Sequence, residues 1–147
     1  MPTALREIRS DAGWDAAVPV LRQLWSHRDE AFVRSWREED DYRLFGLYEG
    51  VDRGSGGGGD DLVAVAGVSI QRVFHHERHL WIHDFVVDEP RRGEGLGEEL
   101  LDELADWGRE RECEDLILGC TADNDEARAF YEHQGLEVWG HVMERGL

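Results

Sequence analysis

Two stretches of this chain combine residue types and spacing that chemistry can use. The more informative is Phe85-Val86-Val87-Asp88-Glu89-Pro90-Arg91-Arg92-Gly93-Glu94-Gly95-Leu96-Gly97. An apolar run ends there, Pro90 forces a turn, and a glycine-rich loop leads straight into a helical pattern. Glycines at 93, 95 and 97 let the backbone bend and let a ligand approach main-chain N–H groups with no Cβ in the way. Those groups are the orphan donors of the helix that follows, and the helix dipole favours an anion beside them. Arg91 and Arg92 add positive charge at the same place, so the segment reads as a pyrophosphate site. A glycine turn without a ligand is the plain alternative. A dinucleotide-binding Gly-x-Gly-x-x-Gly loop does not fit, because the spacing differs and the segment lies late in the chain, after a meander.

The second stretch is the strand pattern Leu80 to Asp88, apolar except at His83 and Asp84. An imidazole titrates near neutrality and suits taking a proton from an ammonium, directly or through water. Side chains alternate along a strand, which predicts that Asp84 points away from His83 and that only one of them faces a reaction centre. His83 leads as general base, with Asp84 and a water chain left open; a hydrogen-bonded structural histidine explains the residue equally. His75, His76 and His79 invite a metal, but they fall where a hairpin tip is expected and lack the element geometry of a zinc site, so no metal is expected.

The elements that must carry these residues follow from periodicity. Leu5–Arg9 reads as a strand, Trp14–Trp25 as an amphipathic helix, and Ser26 or Asp29 as the cap of a second helix through Trp36. Strands follow at Tyr42–Val51, Leu62–Phe74 and Leu80–Asp88, then a helix from Gly95 to Glu110 with Leu96, Leu100, Leu101, Leu104 and Trp107 inward. A strand at Leu116–Cys120, a helix at Glu126–His133 closed by Gly135, and a strand at Leu136–Met143 complete the order β-α-α-β-β-β-α-β-α-β. This is a mixed α/β fold in one domain over residues 1–147, its sheet mostly antiparallel. The glycine run at 54–59 lacks the Lys-Ser/Thr ending of a phosphate loop and reads as a flexible hairpin loop.

Composition limits the partners. Asp and Glu total 33 against 16 basic residues, a formal net charge of −17, and every basic residue is Arg. Carboxylates in this abundance without lysine match a salt-accumulating, halophilic cell, where a short Debye length screens the repulsion. Nucleic acid is not an expected partner, since phosphate backbones are bound by Lys and Arg. No apolar run reaches membrane-spanning length and no signal-peptide pattern opens the chain, so a cytoplasmic location and buried free thiols at Cys113 and Cys120 are expected.

Arg92-Gly93-Glu94-Gly95-Leu96-Gly97 resembles the Arg/Gln-x-x-Gly-x-Gly/Ala signature with which GNAT acetyltransferases hold the CoA pyrophosphate. Downstream, Asn124-Asp125-Glu126-Ala127-Arg128-Ala129-Phe130-Tyr131-Glu132-His133-Gln134-Gly135-Leu136 is similar to the family's Asn-x-x-Ala-x-x-Phe-Tyr-x-x-x-Gly-Phe motif, with Leu136 in place of Phe. The resemblance implies acetyl-CoA as acetyl donor and a small-molecule primary amine as acceptor. A protein or peptide acceptor and a non-catalytic CoA-binding module are the alternatives. It implies that the fourth and fifth strands splay around the pantetheine arm, which would pair with the backbone of Phe85, Val86 and Val87. Arg91, Arg92, Gly93, Glu94, Gly95, Leu96 and Gly97 would hold the pyrophosphate, with Asn124, Ala127 and Tyr131 as further cofactor contacts. Tyr131 matches the general acid that protonates the CoA sulfur; a core aromatic is its plain reading, as a helix cap is that of Asn124. His83 stands where polyamine-type relatives carry Glu. The acceptor pocket is expected around His27, Asp29, Glu30, Trp36 and Tyr42, and a homodimer pairing through the last strand is compatible with the family.

Overall fold

The computed structural model describes residues 2–50 and 61–147, so the glycine run at 54–59 and Val51 lie outside the described residues. The contacts divide the chain into two units, Met1–Ile117 and Leu118–Leu147.

In the first unit, β1 (Thr3–Glu7), β2 (Arg43–Glu49), β3 (Asp61–Val73) and β4 (Glu77–Val87) pair as neighbouring antiparallel strands. The fifth strand, β5 (Asp115–Leu118), lies beside β4, completing the order β1-β2-β3-β4-β5. The Glu114 N–H donates to the Arg78 carbonyl at 2.7 Å, so β5 starts level with the start of β4 and runs parallel to it. Between these two strands stands α3 (Leu96–Glu110), the crossover that parallel neighbours require. A mixed α/β sheet results.

The helices divide between the faces because strand side chains alternate. Trp14, Ala17, Val18 and Leu21 of α1 (Asp11–Leu24) and Val33 of α2 (Glu30–Ser35) bury against Leu44, Val65 and Val86. On the other face α3 places Trp107 against Phe45, ring centres 4.9 Å apart, and Gly108 beside Leu80. Leu100 and Leu104 are fully buried, as their stripe predicts. Ser10 caps α1, and Asp29 caps α2 by accepting the Phe32 N–H at 2.8 Å.

One irregularity governs the site. Gly67 pairs with Asp84 and Val68 with Ile82, so His83 is an extra residue on β4, a β-bulge. The bulge breaks the alternation, and the expectation that His83 and Asp84 face opposite ways is corrected. Both meet Tyr42: its hydroxyl donates to Asp84 Oδ2 at 2.7 Å, and its ring lies 6.2 Å from the His83 ring.

In the second unit, α4 (Asp125–His133) is capped by Asn124, whose Oδ1 accepts the Ala127 N–H at 3.1 Å. It closes on Gly135 at φ +93°, with Leu136 N–H to the Tyr131 carbonyl and Gly135 N–H to the Glu132 carbonyl. This is the paired C-terminal cap that a left-handed glycine permits. Ala127, Phe130 and Tyr131 are half-buried rather than fully inward. The strand expected at Leu136–Met143 does not form. A strand needs a partner ladder, and among the described residues none pairs with this segment, which exposes Val138, Trp139, Val142 and Met143. Both cysteines are free thiols; Cys120 is exposed because β5 ends at Leu118. No helix among the described residues is long and apolar enough to cross a membrane.

A Cβ on buried Gly67 would lie 1.7 Å from the Tyr42 hydroxyl. Gly67→Ala should therefore expel Tyr42 from Asp84 and cost about 2 kcal/mol, within the range for overpacking. Chemical denaturation should show the loss, and Tyr42→Phe/Gly67→Ala should show less than the sum of the singles.

Candidate active site

The glycine turn begins where β4 stops. A short 3-10 turn at Glu89–Arg91 leads to Gly93 (φ +84°) and Gly95 (φ +82°), both left-handed. A Cβ at either would meet nothing within 4 Å, so glycine answers to backbone conformation here, with open space above. Gly95 is the N-cap of α3, and no side chain caps that helix, whereas Ser10, Asp29 and Asn124 cap α1, α2 and α4. The first-turn amides of Leu96, Gly97 and Glu98 are thus left to solvent or a ligand. Leu96 and Val86 turn their side chains into the core, which leaves main chain as what they can offer a ligand.

Both arginines already have partners within the chain. Arg91 is paired with Glu49 at 2.7 Å and with Glu94 at 3.0 Å. The hydrogen bonds from Arg91 hold both carboxylates below their usual pKa, and those carboxylates raise that of Arg91. Its charge is therefore largely neutralised. Arg92 donates to the Val87 carbonyl at 3.1 Å and to Gln23 Oε1 at 3.3 Å. A cavity of about 350 Å³ lies over the start of α3, lined by Glu49, Glu94, Gly95, Leu96, Glu98, Glu99 and Asp102. An anion there meets main-chain donors at its base and carboxylates at its walls.

Strand β5 has 4 residues against the 11 of β4 and starts level with Arg78. At about 3.3 Å per residue it ends well short of Phe85–Val87.

At the bulge, His83 Nε2 lies 2.7 Å from Ser69 Oγ, which also accepts from Gln71 Nε2 at 3.2 Å. Partial burial lowers the His83 pKa below its ordinary 6.5, and the neighbouring Asp84 charge opposes that shift. The imidazole is accordingly a neutral base near pH 7. Asp84 accepts from Trp25 Nε1 at 2.6 Å as well as from Tyr42. Burial, followed by the charge of Asp84, raises the Tyr42 pKa, so its hydroxyl stays a donor.

Of the residues expected to line the acceptor pocket, only Tyr42 reaches this centre through a described contact. Asp29 caps its helix, Glu30 pairs with Arg34 at 3.0 Å, Trp36 stacks on Phe32 at 4.9 Å, and His27 lies against Trp25 at 6.0 Å. Trp25 and Ser69 were missed. An indole at the end of an apolar stripe reads as core, and a lone serine in a strand carries no signal. His75 and His76 sit in the β3–β4 turn, but His79, expected there too, lies inside β4 opposite Gln71 and is buried; no group of three His, Cys, Asp or Glu among the described residues is arranged to hold a metal.

In the second unit, burial and then the Cys120 thiol push the Tyr131 pKa up to about 12, so its phenol is protonated at neutral pH. Asn124 serves as the cap of α4.

Comparisons with known proteins place this arrangement. No curated protein sequence matches the chain. Among solved structures, an aminoglycoside N-acetyltransferase in complex with CoA has a TM-score of 0.77 at 15% identity, covering 99% of this chain and 95% of that one. A transcriptional regulator from Bacillus halodurans has a TM-score of 0.76 at 16% identity, covering 99% and 100%. A ribosomal-protein-alanine N-acetyltransferase from Brucella melitensis has a TM-score of 0.72 at 22% identity, covering 99% and 98%. These likenesses concern the fold. The model of the acetyltransferase (GNAT) family matches residues 12–136, most of the chain. The chain belongs to the acetyltransferase (GNAT) family and is an acyl-CoA-dependent acetyltransferase.

Proposed function

We propose that the chain transfers the acetyl group of acetyl-CoA to the primary amine of a small molecule. The observation that carries this reading is the start of α3, a 15-residue helix whose first amides no side chain caps, opening under two left-handed glycines. The CoA pyrophosphate would take those amides, with Arg92 beside them. The pantetheine arm would lie along Phe85–Val87, and a main-chain N–H there would polarise the thioester carbonyl.

The roles then follow. The amine nitrogen attacks the carbonyl carbon, the C–S bond breaks, and CoA leaves as a thiol. His83 takes the ammonium proton, directly or through water. Its Nε2 is engaged with Ser69, so Nδ1 is the atom for exchange. Tyr131, protonated at neutral pH, supplies the proton to the sulfur. Asp84, a carboxylate beside the base and held by Trp25 and Tyr42, suits a cationic amine. This last point favours a small amine of the kind an aminoglycoside N-acetyltransferase acts on. The ribosomal-protein-alanine N-acetyltransferase among the structural relatives supports the second reading, a peptide N-terminus. The cytoplasm, where both thiols persist, suits either. The exposed Val142 and Met143 favour a homodimer.

Free CoA should be detected chromatographically when acetyl-CoA is offered with polyamines, amino acids, aminoglycosides and short peptides in molar KCl. Release with a small amine supports the reading, release with peptides alone supports the second, and silence without CoA binding ends both. Tyr131→Phe should lower kcat about 10²-fold while acetyl-CoA binding persists; equal loss of both would remove the acid role.

A pH profile isolates the base. Since the His83 pKa is lowered, the base form persists below pH 6.5, and the acid limb of kcat/KM should lie there. His83→Gln, which can still reach Ser69, should abolish that limb; an unchanged limb excludes the assignment.

Salt should act against habit. The carboxylates around the cavity and the net charge of −17 repel CoA in dilute buffer, and the Debye length falls from about 10 Å at 0.1 M to about 3 Å at 1 M. Acetyl-CoA affinity and melting temperature should both rise between 0.1 and 2 M KCl. A flat series would exclude adaptation to high salt.

A further inference from the structure

One side chain of α1 meets the glycine turn through three hydrogen bonds. Gln23 Nε2 donates to Asp88 Oδ1 at 2.6 Å, while its Oε1 accepts the Glu89 main-chain N–H at 2.9 Å and Arg92 Nη2 at 3.3 Å. Both lone pairs of one amide carbonyl and one of its N–H groups are thus engaged by a segment more than sixty positions away. Two residues on, Trp25 Nε1 donates to Asp84 at 2.6 Å, so the end of α1 is fastened at two points along 84–92.

The partners are telling. The side chain of Asp88, N-cap of the 3-10 turn at Glu89–Arg91, accepts no hydrogen bond from that turn. Gln23 satisfies its first N–H instead. Arg92, the first residue of the glycine signature, is gripped between Gln23 and the Val87 carbonyl. Between this turn and α3 lie Gly93 and Gly95, which carry no side chain to anchor them. A phosphate site works when its donors are placed before the ligand arrives, and an unanchored glycine loop loses affinity to ordering.

We infer that Gln23 is a positioning residue for the cofactor pyrophosphate, acting through the Asp88–Arg92 turn. The inference rests on the acetyl-CoA reading of that turn. Gln23 touches no reacting atom; it sets the direction from which the glycines and the first amides of α3 are presented.

The test uses the whole chain in molar KCl, with CoA as titrant and amide hydrogen exchange as a second readout. In Gln23→Ala, exchange over residues 89–95 should rise in the free protein, and the CoA Kd should rise about tenfold, the scale of losing one or two such bonds. The kcat at saturating acetyl-CoA and the KM for the amine should stay within twofold. Gln23→Glu keeps the acceptors for Glu89 and Arg92 but sets a carboxylate against Asp88; adding Asp88→Asn restores a donor and should return affinity to within about threefold of the original. An unchanged Kd in Gln23→Ala, with or without faster exchange, overturns the inference, because the contact then serves only helix docking. Failure of that rescue, with both variants folded, also overturns it. A chain that binds no CoA before any substitution overturns the functional reading itself, which separates the two failures.

Discussion

Strand β4 holds one residue more than β3 can pair, and much of the site depends on where that residue falls. Placed at position 83, the bulge sends His83 and Asp84 to the same face, which regular alternation would forbid. Asp84 then becomes the meeting point of three segments: its own strand, the residue following α1 through Trp25, and the residue preceding β2 through Tyr42. The tyrosine can reach it only because residue 67, across the ladder, has no Cβ. Burial of the phenol keeps it protonated and hence a donor, so the carboxylate remains an acceptor and the geometry is self-consistent. Remove any member and the position of His83 loses its surroundings.

A chain with 33 acidic residues and no lysine faces an obvious difficulty in holding a polyanion. Arg91, in the glycine turn, is already neutralised by Glu49 and Glu94. Main-chain amides offer another route, since they bring partial positive charge without a mobile side chain. That route requires the helix start to be left uncapped and the approach to be free of Cβ atoms. Gly93, Gly95 and the bare N-terminus of α3 meet both requirements. A serine, aspartate or asparagine cap, as the other α-helices have, would occupy the very donors in question. Glu98 and Glu99 in the first turn favour the dipole but oppose an incoming phosphate, so the balance between the two is set by screening.

Most of the fold was legible because it depends on short-range rules. Asn124 reads as a helix start, Ser26 or Asp29 as another, and Gly135 as a helix end; Asn124, Asp29 and Gly135 make the expected bonds. The leucine stripe of α3 and the alternating strands of the meander also stand where periodicity places them. What escaped depends on partners distant in sequence. A bulge is a mismatch between two strands and leaves no mark on either alone, so Asp84 was turned the wrong way. Gln23 and Trp25 sit at the end of an ordinary amphipathic helix, and only the folded chain brings Asp88 and Asp84 to them. The last segment reads as a strand by composition, yet a ladder needs a second chain segment that local pattern cannot supply.

The division between what is fixed and what varies has a physical origin. Under the proposed reading the acetyl donor would be held by main chain: left-handed glycines, helix amides, and the carboxyl half of β4 beyond the reach of β5. Structures at 15–22% identity keep TM-scores above 0.7 over nearly the whole chain, so the fold survives extensive side-chain replacement. Acceptor choice would have no such protection, because in that reading it rests on side chains borne by α1, the start of β2 and the bulge. An aminoglycoside N-acetyltransferase and a ribosomal-protein-alanine N-acetyltransferase can therefore share this fold. In this chain the same carboxylate, Asp84, braces Trp25 and Tyr42 and stands next to the candidate base. A change at Asp84 would therefore also disturb His83, whereas the Glu89–Arg91 turn, fastened separately through Gln23, would be left in place.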